Sequence, residues 1–434
     1  MRWGFIVFIA NWEQMVTWLV LFVVLFSIVS GKLRYDLTAF GGLLLLGMLT
    51  IRRPSDLFSG FSSPALFTIA AVLVMSAGIV ESGILAGLGK RIAGRIYEPK
   101  NQILAVFLST GFVSAFMNNV GAVGIMLPTA QRMAHRAKVS QSAFGIPIAY
   151  ASILGGSLTL IGTASNLIVS TYRLNAFGEP FRMFDFIFHG LIMFFSGITV
   201  VFLCRLCGLG PIGQKASDKS SLKMEIQDEP VEIAVKCSRQ KKIIVIFTLI
   251  PIVILTAIGI LHPSVGFGMT VLVWLAAGVF SYKTALANIN VPIIIFLGSM
   301  FGISAVLEET GALNAAVSFI RPVFASLPPL LLIFVFLFIT GLFANVIDNS
   351  VAAVLMAPVA IELTRAGAVS VNPDALLMAV AAGAGLGIVI PTHQATLVVM
   401  DSMEFPRTSF IKTGAAIALM AGIFATLVIY AVWC

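Results

Sequence analysis

Apolar stretches long enough to cross a bilayer recur along nearly the whole chain, and short polar clusters interrupt several of them. A run of about 20 mainly apolar residues spans the hydrocarbon core as a helix, so this pattern predicts an all-α membrane protein that crosses the bilayer many times. Two polar interruptions, within residues 114–128 and 344–358, are alike and lie about 230 residues apart. They indicate a chain built from two related halves, as many transporters are.

The predicted elements follow the same order in both halves. In the first half we expect spans near 15–30, 36–51 and 63–80, an amphipathic stretch at 82–99, a hairpin at 102–136 that breaks at Asn118-Asn119, a span interrupted at 162–166 and a last span near 184–206. In the second half we expect spans near 243–261, 265–281 and 291–306, an amphipathic stretch at 309–322, a hairpin at 329–366 that breaks at 348–350, a span broken around 391–394 and a final span near 411–432. The halves are therefore assigned to residues 1–207 and 243–434, and a polar linker at 208–242 joins them.

The topology follows from the number of spans and from the basic residues. Each half has about five full spans if its hairpin re-enters the membrane from one side, and because five is odd the two halves must be inverted relative to each other. A cytoplasmic linker places 20 of the 27 Lys and Arg residues inside, and the positive-inside rule favours this orientation. The seven outside are Arg2, Arg52, Arg53, Arg173, Arg182, Arg321 and Arg365. We therefore expect a multi-pass protein of the inner (plasma) membrane.

Composition agrees with a membrane setting and narrows the classes of function. The chain is 59% hydrophobic and 11% charged, with a mean hydropathy of +1.02, whereas soluble domains have about 25% charged residues. The net charge of +8 is explained by membrane orientation, and no nucleic-acid binding is predicted. We find no Ser/His/Asp set, nucleotide-binding loop, metal-ligand cluster or cleavable signal peptide. The sequence therefore predicts no enzyme, no catalytic residue, no cofactor and no metal site beyond sodium.

The polar clusters suit ion binding because a helix that stops inside the membrane leaves backbone groups unpaired. Unpaired carbonyls together with Asn, Ser or Asp oxygens suit a hard cation, and N–H groups at a helix start attract an anion. The tip at 118–119 and the break at 162–166 offer both kinds of group. No Lys or Arg lies at either hairpin tip, so a bound cation would help to hold an anion there.

Each polar position also has a structural explanation. The Asn residues could hydrogen-bond between packed helices, Ser114 could be a small packing residue, and His393 could be either a polar gate or a satisfied side chain. A carboxylate at membrane depth is rarer and favours a functional role for Asp348. Asp348 could bind a cation, or it could titrate and carry a proton.

Three segments, Phe116 to Pro128, Ile161 to Ser170 and Asp348 to Pro358, resemble motifs of the divalent anion/sodium symporter family, which lies within a broader citrate-transporter-like group of ion transporters. The resemblance covers nearly the whole chain. It implies an elevator-type transporter, usually a homodimer, with two re-entrant hairpins and sodium sites at their tips. The tip signature of that family is Ser-Asn-Thr, and this chain has Asn118-Asn119-Val120 and Asp348-Asn349-Ser350 in its place.

The residues and the resemblance together give two sets of candidate ligands. The predicted cation-binding residues are Ser114, Asn118, Asn119, Gly162, Asn345, Asp348, Asn349, Pro391 and Thr392. The predicted solute-binding residues are Asn119, Val120, Thr163, Ser165, Asn166, Asn349, Ser350, His393, Gln394 and Thr396. The family's additional cation-ligand position corresponds to Ser114 in the first half and to Ala344, which has no side-chain oxygen, in the second.

The predicted function is secondary active transport, as sodium-coupled symport of a small di- or polyvalent anion such as a dicarboxylate, citrate or sulfate. A proton-coupled anion carrier, a sodium/proton antiporter and an arsenite-type efflux carrier stay open as alternatives, because Asp348 supplies a titratable group. The expected partners are the anionic solute, sodium or protons, the lipid bilayer and a second copy of the chain.

Overall fold

A computed structural model of the protein describes residues 2–30, 32–50, 53–84, 98–137, 139–206, 239–365, 367 and 369–434. All regular secondary structure in these ranges is helical, and seven of the described helices are long and apolar enough to cross a membrane. The expectation of an all-α membrane protein is confirmed. Most of the predicted linker and most of the amphipathic stretch at 82–99 lie outside the described residues.

The helices of the two halves follow one another in the same order. The first half contains α1 (Arg2–Ser30), α2 (Tyr35–Leu49), α3 (Pro54–Leu57), a 3₁₀ turn (Ser59–Ser62), α4 (Pro64–Glu81), α5 (Pro99–Ser114), α6 (Asn119–Ala137), α7 (Ser142–Gly156), α8 (Ala164–Phe177) and α9 (Ile187–Leu206). The second half contains α10 (Arg239–Ala257), α11 (Pro263–Ala276), α12 (Tyr282–Ala287), α13 (Val291–Glu309), α14 (Ala312–Ala325), α15 (Pro329–Val346), α16 (Asn349–Arg365), α17 (Pro373–Gly385), α18 (Gln394–Met403) and α19 (Arg407–Trp433).

Each predicted hairpin is a pair of contacting helices that meet at a short polar tip. The first hairpin consists of α5 and α6, and the second consists of α15 and α16. Gly121 and Pro128 are residue types that can interrupt a helix, yet α6 continues through both. A proline inside a membrane helix loses one backbone hydrogen bond, which the neighbouring helices can offset. The helix is therefore interrupted at the tip alone.

The broken spans and the N-terminus differ in detail from the sequence prediction. The first break covers 157–163, between α7 and α8, so that Ser165 and Asn166 belong to the first turn of a helix. The second break covers 386–393, between α17 and α18. At the N-terminus, α1 runs without interruption from Arg2 instead of beginning near residue 15. No proline and only one glycine occur in α1, so nothing in its sequence ends the helix early.

The helices pack as two groups, which we call the scaffold group and the site group. In the scaffold group, α2 packs against α1 and α13, and α4 packs against α11. In the site group, α7 packs against α5, α17 against α15, and α9 against α19. Helices α8 and α16 of the site group contact α4, α13 and α14 of the scaffold group. Both hairpins and both broken spans belong to the site group.

Hydrogen bonds connect the two halves of the chain within the site group. The Tyr150 hydroxyl on α7 donates to the carbonyl of Phe410 on α19 at 2.5 Å, and the two rings stack with their centroids 4.6 Å apart. Arg365, at the end of the second hairpin, donates to the carbonyl of Ala176 on α8 at 3.0 Å. These bonds hold the hairpins and broken spans of the two halves together in a single packed unit.

Candidate functional site

At both hairpin tips a polar side chain caps the helix that follows. The backbone N–H of Val120 donates to Asn118 Oδ1 at 3.2 Å, and the backbone N–H of Ser350 donates to Asp348 Oδ1 at 2.8 Å. Each cap satisfies one of the N–H groups that a helix start leaves unpaired. The charge of Asp348 also interacts favourably with the positive end of α16. Asp348 is an exposed residue, so its carboxylate is open to a ligand.

The next residue of each tip is a buried asparagine that packs against a glycine of a broken span. Asn119 and Asn349 are 3% and 5% exposed. A Cβ atom on Gly156 would come within 2.5 Å of Asn119 Oδ1, and one on Gly387 would come within 2.2 Å of Asn349 Oδ1. Any side chain at either glycine would therefore displace the amide. The tip and the break of each half meet through an Asn–Gly contact.

Three oxygen atoms lie together beside the first tip. The hydroxyl oxygen of the fully buried Ser114 lies 3.0 Å from Asn119 Oδ1 and 2.5 Å from the carbonyl oxygen of Ser152. A hydroxyl, an amide oxygen and a backbone carbonyl are the kinds of ligand that hard cations take. The chemistry of these groups fits the predicted cation site at Ser114 and Asn119.

His393 brings the second half of the chain into contact with this first tip. Its Nε2 lies 3.4 Å from Asn119 Nδ2, and its Nδ1 accepts a hydrogen bond from the backbone N–H of Ala395 at 3.2 Å. The first hairpin tip therefore meets the second broken span at His393, one of the predicted solute ligands.

Asn345 differs from the other tip residues because backbone groups occupy its whole amide. Its Nδ2 donates to the carbonyls of Gly341 and Leu386 at 2.7 and 2.9 Å. Its Oδ1 accepts from the N–H groups of Val389 and Ile390 at 2.7 and 3.0 Å. Both lone pairs of the oxygen are used in these bonds, so none is left for an ion. We correct the predicted cation-binding role of Asn345 to a structural one, which is to hold the second break against its hairpin.

Other groups hold the first break against its hairpin. The Thr159 hydroxyl donates to the carbonyl of Ala115, and Asn166 Nδ2 donates to the carbonyl of Thr159 at 2.8 Å. Asn166 Oδ1 is buried and has no hydrogen-bond partner among the described residues. The hydroxyls of Thr163 and Ser165 lie 3.2 Å apart at the start of α8, where a helix N-terminus attracts anions.

The remaining predicted site residues lie on the same tips and breaks but make fewer polar contacts. Gln394 is exposed at the start of α18, and the buried hydroxyl of Thr396 has no partner within the described chain. Direct hydrogen-bond contacts join Ser114, Asn119 and His393 into one cluster. No described hydrogen bond joins this cluster to six other predicted ligands at the tips, at the second break or in the first turn of α18, which are Val120, Ser350, Pro391, Thr392, Gln394 and Thr396.

Two residues of α7 that shape the site, Ser152 and Gly156, are absent from the predicted ligands. Ser152 contributes the carbonyl beside Ser114, and Gly156 receives the Asn119 amide. Gly162, a predicted carbonyl ligand, packs directly against Gly156. The approach is so close that a Cβ atom on Gly162 would come within 2.3 Å of the Gly156 carbonyl oxygen. The Gly155-Gly156 pair was the available signal, since adjacent glycines at membrane depth permit a close backbone approach.

Polar hairpin tips that face broken helices inside an apolar bundle define a membrane transporter. The profile of the citrate transporter family matches residues 21–383. The chain therefore belongs to the citrate transporter family, and the family resemblance found in the sequence is confirmed.

Several relatives are themselves described as transporters. The chain is 32% identical over 222 residues to an uncharacterised transporter of Synechocystis, a match that covers 50% of this chain and 36% of the relative. It is 26% identical over 176 residues to a probable sodium/sulfate cotransporter of Chlamydomonas reinhardtii, covering 39% of this chain and 19% of the relative. A 46 kDa membrane protein of Mycobacterium leprae is 21% identical and matches 93% of this chain and 96% of its own length. The first two matches thus span about a third or less of those relatives.

The fold is similar to that of a solved transporter. The YdaH transporter of Alcanivorax borkumensis superposes with a TM-score of 0.63 at 14% sequence identity, and the match covers 88% of both chains. At this identity the likeness concerns the fold alone, and it agrees with the helical transporter architecture described above.

Proposed function

We propose that the protein is a secondary active transporter that couples sodium ions to the movement of a small di- or polyvalent anion. Sulfate, dicarboxylates and citrate are the candidate solutes. The observation that carries the proposal is the contact between the first hairpin tip and the second broken span, where Asn119 of the Ser114–Asn119 oxygen cluster meets His393. The family match and the relatives named sodium/sulfate cotransporters support this choice of solute and ion.

In this proposal each tip and its broken span bind one cation, and the anion binds between the two tips. Ser114, Asn119 and the carbonyls of Ser152 and Gly162 provide one cation site. Asp348, Asn349 and the carbonyls near Pro391 and Thr392 provide the other. The anion lies among Asn119, Asn349, Ser350 and Thr163, at the starts of α6, α16 and α8. Neither hairpin tip contains a Lys or Arg, so the dipoles of these helices and the bound cations supply the positive potential that attracts the anion.

The transport cycle is proposed to be an elevator movement, in which the site group slides past the scaffold group. The division of the helices into two groups supports this mechanism, because the tips and breaks all lie in one of them. A cavity of about 310 Å³ lies at the boundary between the groups, with Ser304 and Glu308 of α13 on one wall and Tyr172 of α8 and Arg365 of α16 on the other. A boundary that is not fully packed permits sliding more readily than a tightly interlocked one does.

The topology and assembly are also proposals. The two halves, 1–207 and 243–434, form an inverted repeat with a re-entrant hairpin in each, and the linker at 208–242 faces the cytoplasm. The distribution of Lys and Arg supports this orientation in a plasma membrane. The chain is proposed to act as a homodimer, as the family resemblance implies.

Uptake into proteoliposomes tests the proposed function. The purified protein is reconstituted, and a panel of labelled anions that includes sulfate, citrate and succinate is offered with an inward sodium gradient or an equal potassium gradient. We expect at least one dianion or trianion to accumulate with sodium and not with potassium. Accumulation with a proton gradient and no sodium would contradict the proposal.

A second candidate is a proton-coupled carrier or antiporter, and the accessible carboxylate of Asp348 favours it. A carboxylate at membrane depth can bind and release a proton during transport. A bound cation stabilises the ionised form and opposes that role, so the two candidates make different demands on Asp348. The oxygen cluster at Ser114 and Asn119 favours the sodium-coupled reading, because it offers cation ligands that do not titrate.

A further inference from the structure

The amide of Asn119 has two polar neighbours that compete for its single oxygen. On one side lies the Ser114 hydroxyl, 3.0 Å from Oδ1, and on the other lies His393 Nε2, 3.4 Å from Nδ2. The two ends of an amide have the same shape, and a half-turn exchanges the oxygen and the NH₂ group. The orientation of Asn119 is therefore decided by which neighbour needs an acceptor.

The backbone determines what His393 needs. Its Nδ1 accepts the N–H of Ala395, so in the neutral ring the proton resides on Nε2. An Nε2–H group requires an acceptor. The Asn119 amide provides one only when its oxygen, and not its NH₂ group, faces His393. With that orientation each proton is satisfied in turn: His393 donates to Asn119, the Asn119 NH₂ group donates to Ser114, and Ser114 donates to the Ser152 carbonyl.

A cation beside Ser114 demands the opposite orientation. It binds oxygen atoms, so the Asn119 oxygen must turn towards Ser114 and the Ser152 carbonyl, as in the structure described here. The NH₂ group of Asn119 then faces the Nε2–H of His393, and two donors meet without an acceptor. An anion placed between them would accept from both groups.

We propose that the Asn119 amide is a two-position switch that couples the cation to the anion, and that His393 is the positioning residue that holds it in the cation-free position. Without a cation, His393 binds the amide oxygen and weakens the cation site. With a cation, the amide and His393 both present donors to the anion. The inference rests on the proposed function and adds a specific route by which one ligand improves the affinity for the other.

The test measures sodium affinity in the absence of any anion, where a merely structural role for His393 would leave the affinity unchanged or weaken it. Purified protein is titrated with sodium at constant ionic strength, with potassium as the balancing cation, and the unfolding temperature reports binding. Removing the His393 bond relieves competition for the Asn119 oxygen. We expect His393→Ala to lower the half-saturating sodium concentration about two- to tenfold, the equivalent of one ordinary hydrogen bond.

Two further variants separate this effect from loss of a helix cap. His393→Asn keeps a capping side chain for α18 but is too short to reach Asn119 in the same way, so it should also tighten sodium binding. His262→Ala is the matched control, because His262 caps α11 through the same contact, from the Ser264 N–H to Nδ1, outside the site. It should leave sodium affinity unchanged.

The coupling provides a second readout. Adding sulfate, or whichever anion the uptake panel identifies, should tighten sodium binding in the wild type and do so less in both His393 variants. Unchanged or weaker sodium binding in folded His393→Ala and His393→Asn would overturn the switch while leaving the proposed function intact. If sodium stabilised the wild type no better than potassium, the proposed function would fail and the switch with it.

Discussion

The Arg173 guanidinium and the Asp374 carboxylate form a two-point ion pair between the two halves of the chain, with N–O distances of 2.8 and 2.9 Å. Arg173 also donates to the carbonyls of Glu179 and Pro180, and it lies 4.7 Å above the ring of Phe181. The pair joins α8 to the start of α17, so it fixes one broken span relative to the other. Bidentate pairs of this kind are among the strongest polar contacts in proteins.

Loss of this pair should destabilise the fold. Asp374→Asn keeps the shape of the side chain and leaves the Arg173 charge without its partner, in a place where the two side chains are 20% and 16% exposed. We expect the free energy of unfolding to fall by about 1–3 kcal/mol, seen as a lower unfolding temperature in detergent. Glu179→Gln, which removes an exposed neighbouring charge, is the control and should have little effect. Equal stability of Asp374→Asn and wild type would contradict the role of the pair.

The Asn349–Gly387 contact should be essential for transport. Gly387→Ala places a methyl group within 2.2 Å of Asn349 Oδ1, so the amide must move away from its position at the second tip. We expect at least a tenfold loss of anion uptake in proteoliposomes, the equivalent of about 1.4 kcal/mol. Gly124→Ala is the matched control, because a methyl group on Gly124 would meet nothing within 4 Å. A fully active Gly387→Ala protein would exclude a role for the buried amide.

Asp348→Asn should separate sodium coupling from proton coupling. The asparagine side chain can still cap α16, so folding is preserved while the carboxylate charge is lost. If Asp348 is a sodium ligand, uptake should require higher sodium concentrations and should still depend on sodium. If Asp348 carries a proton, the same substitution should abolish the pH dependence of uptake and uncouple proton flux. Asn118→Asp, the reciprocal change at the first tip, controls for altered charge at a hairpin.

The orientation of the protein in the membrane can be tested by labelling introduced cysteines. Single cysteines are introduced near Lys223 in the linker and near Asn372, which precedes α17, and intact cells are treated with a membrane-impermeant thiol reagent. The positive-inside distribution predicts protection near Lys223 and labelling near Asn372. Permeabilised cells, in which both positions should react, are the control. The reverse pattern in intact cells would invert the topology.

The helical architecture and the hairpin tips could be predicted from the sequence because both depend on local pattern. Long apolar runs specify the spans, and clusters such as Asp348-Asn349-Ser350 specify where a helix stops inside the membrane. The positions of helix ends were predicted less accurately, since Ser165 and Asn166 belong to α8 and not to the break. A proline such as Pro128 did not end a helix, since neighbouring helices compensate for its missing N–H.

The tertiary contacts of the site could not be predicted from local pattern. His393 and Asn119 are 274 residues apart, and only the packing of α18 against α6 brings them together. Asn345 carried the same polar signal as Asn349, yet four backbone groups occupy its amide. Whether a buried amide is free for a ligand depends on the bonds it makes, and a single sequence does not contain that information.

The most direct test of the account is sodium-driven uptake of labelled sulfate and citrate by the wild type and by Asn119→Ala and Asn349→Ala, each purified, shown to be folded and reconstituted in proteoliposomes. We predict accumulation of at least one of these anions by the wild type with an inward sodium gradient, and none by either variant, because each removes one of the two buried tip amides. Wild-type rates in both variants would contradict the assignment of the two tips as the transport site.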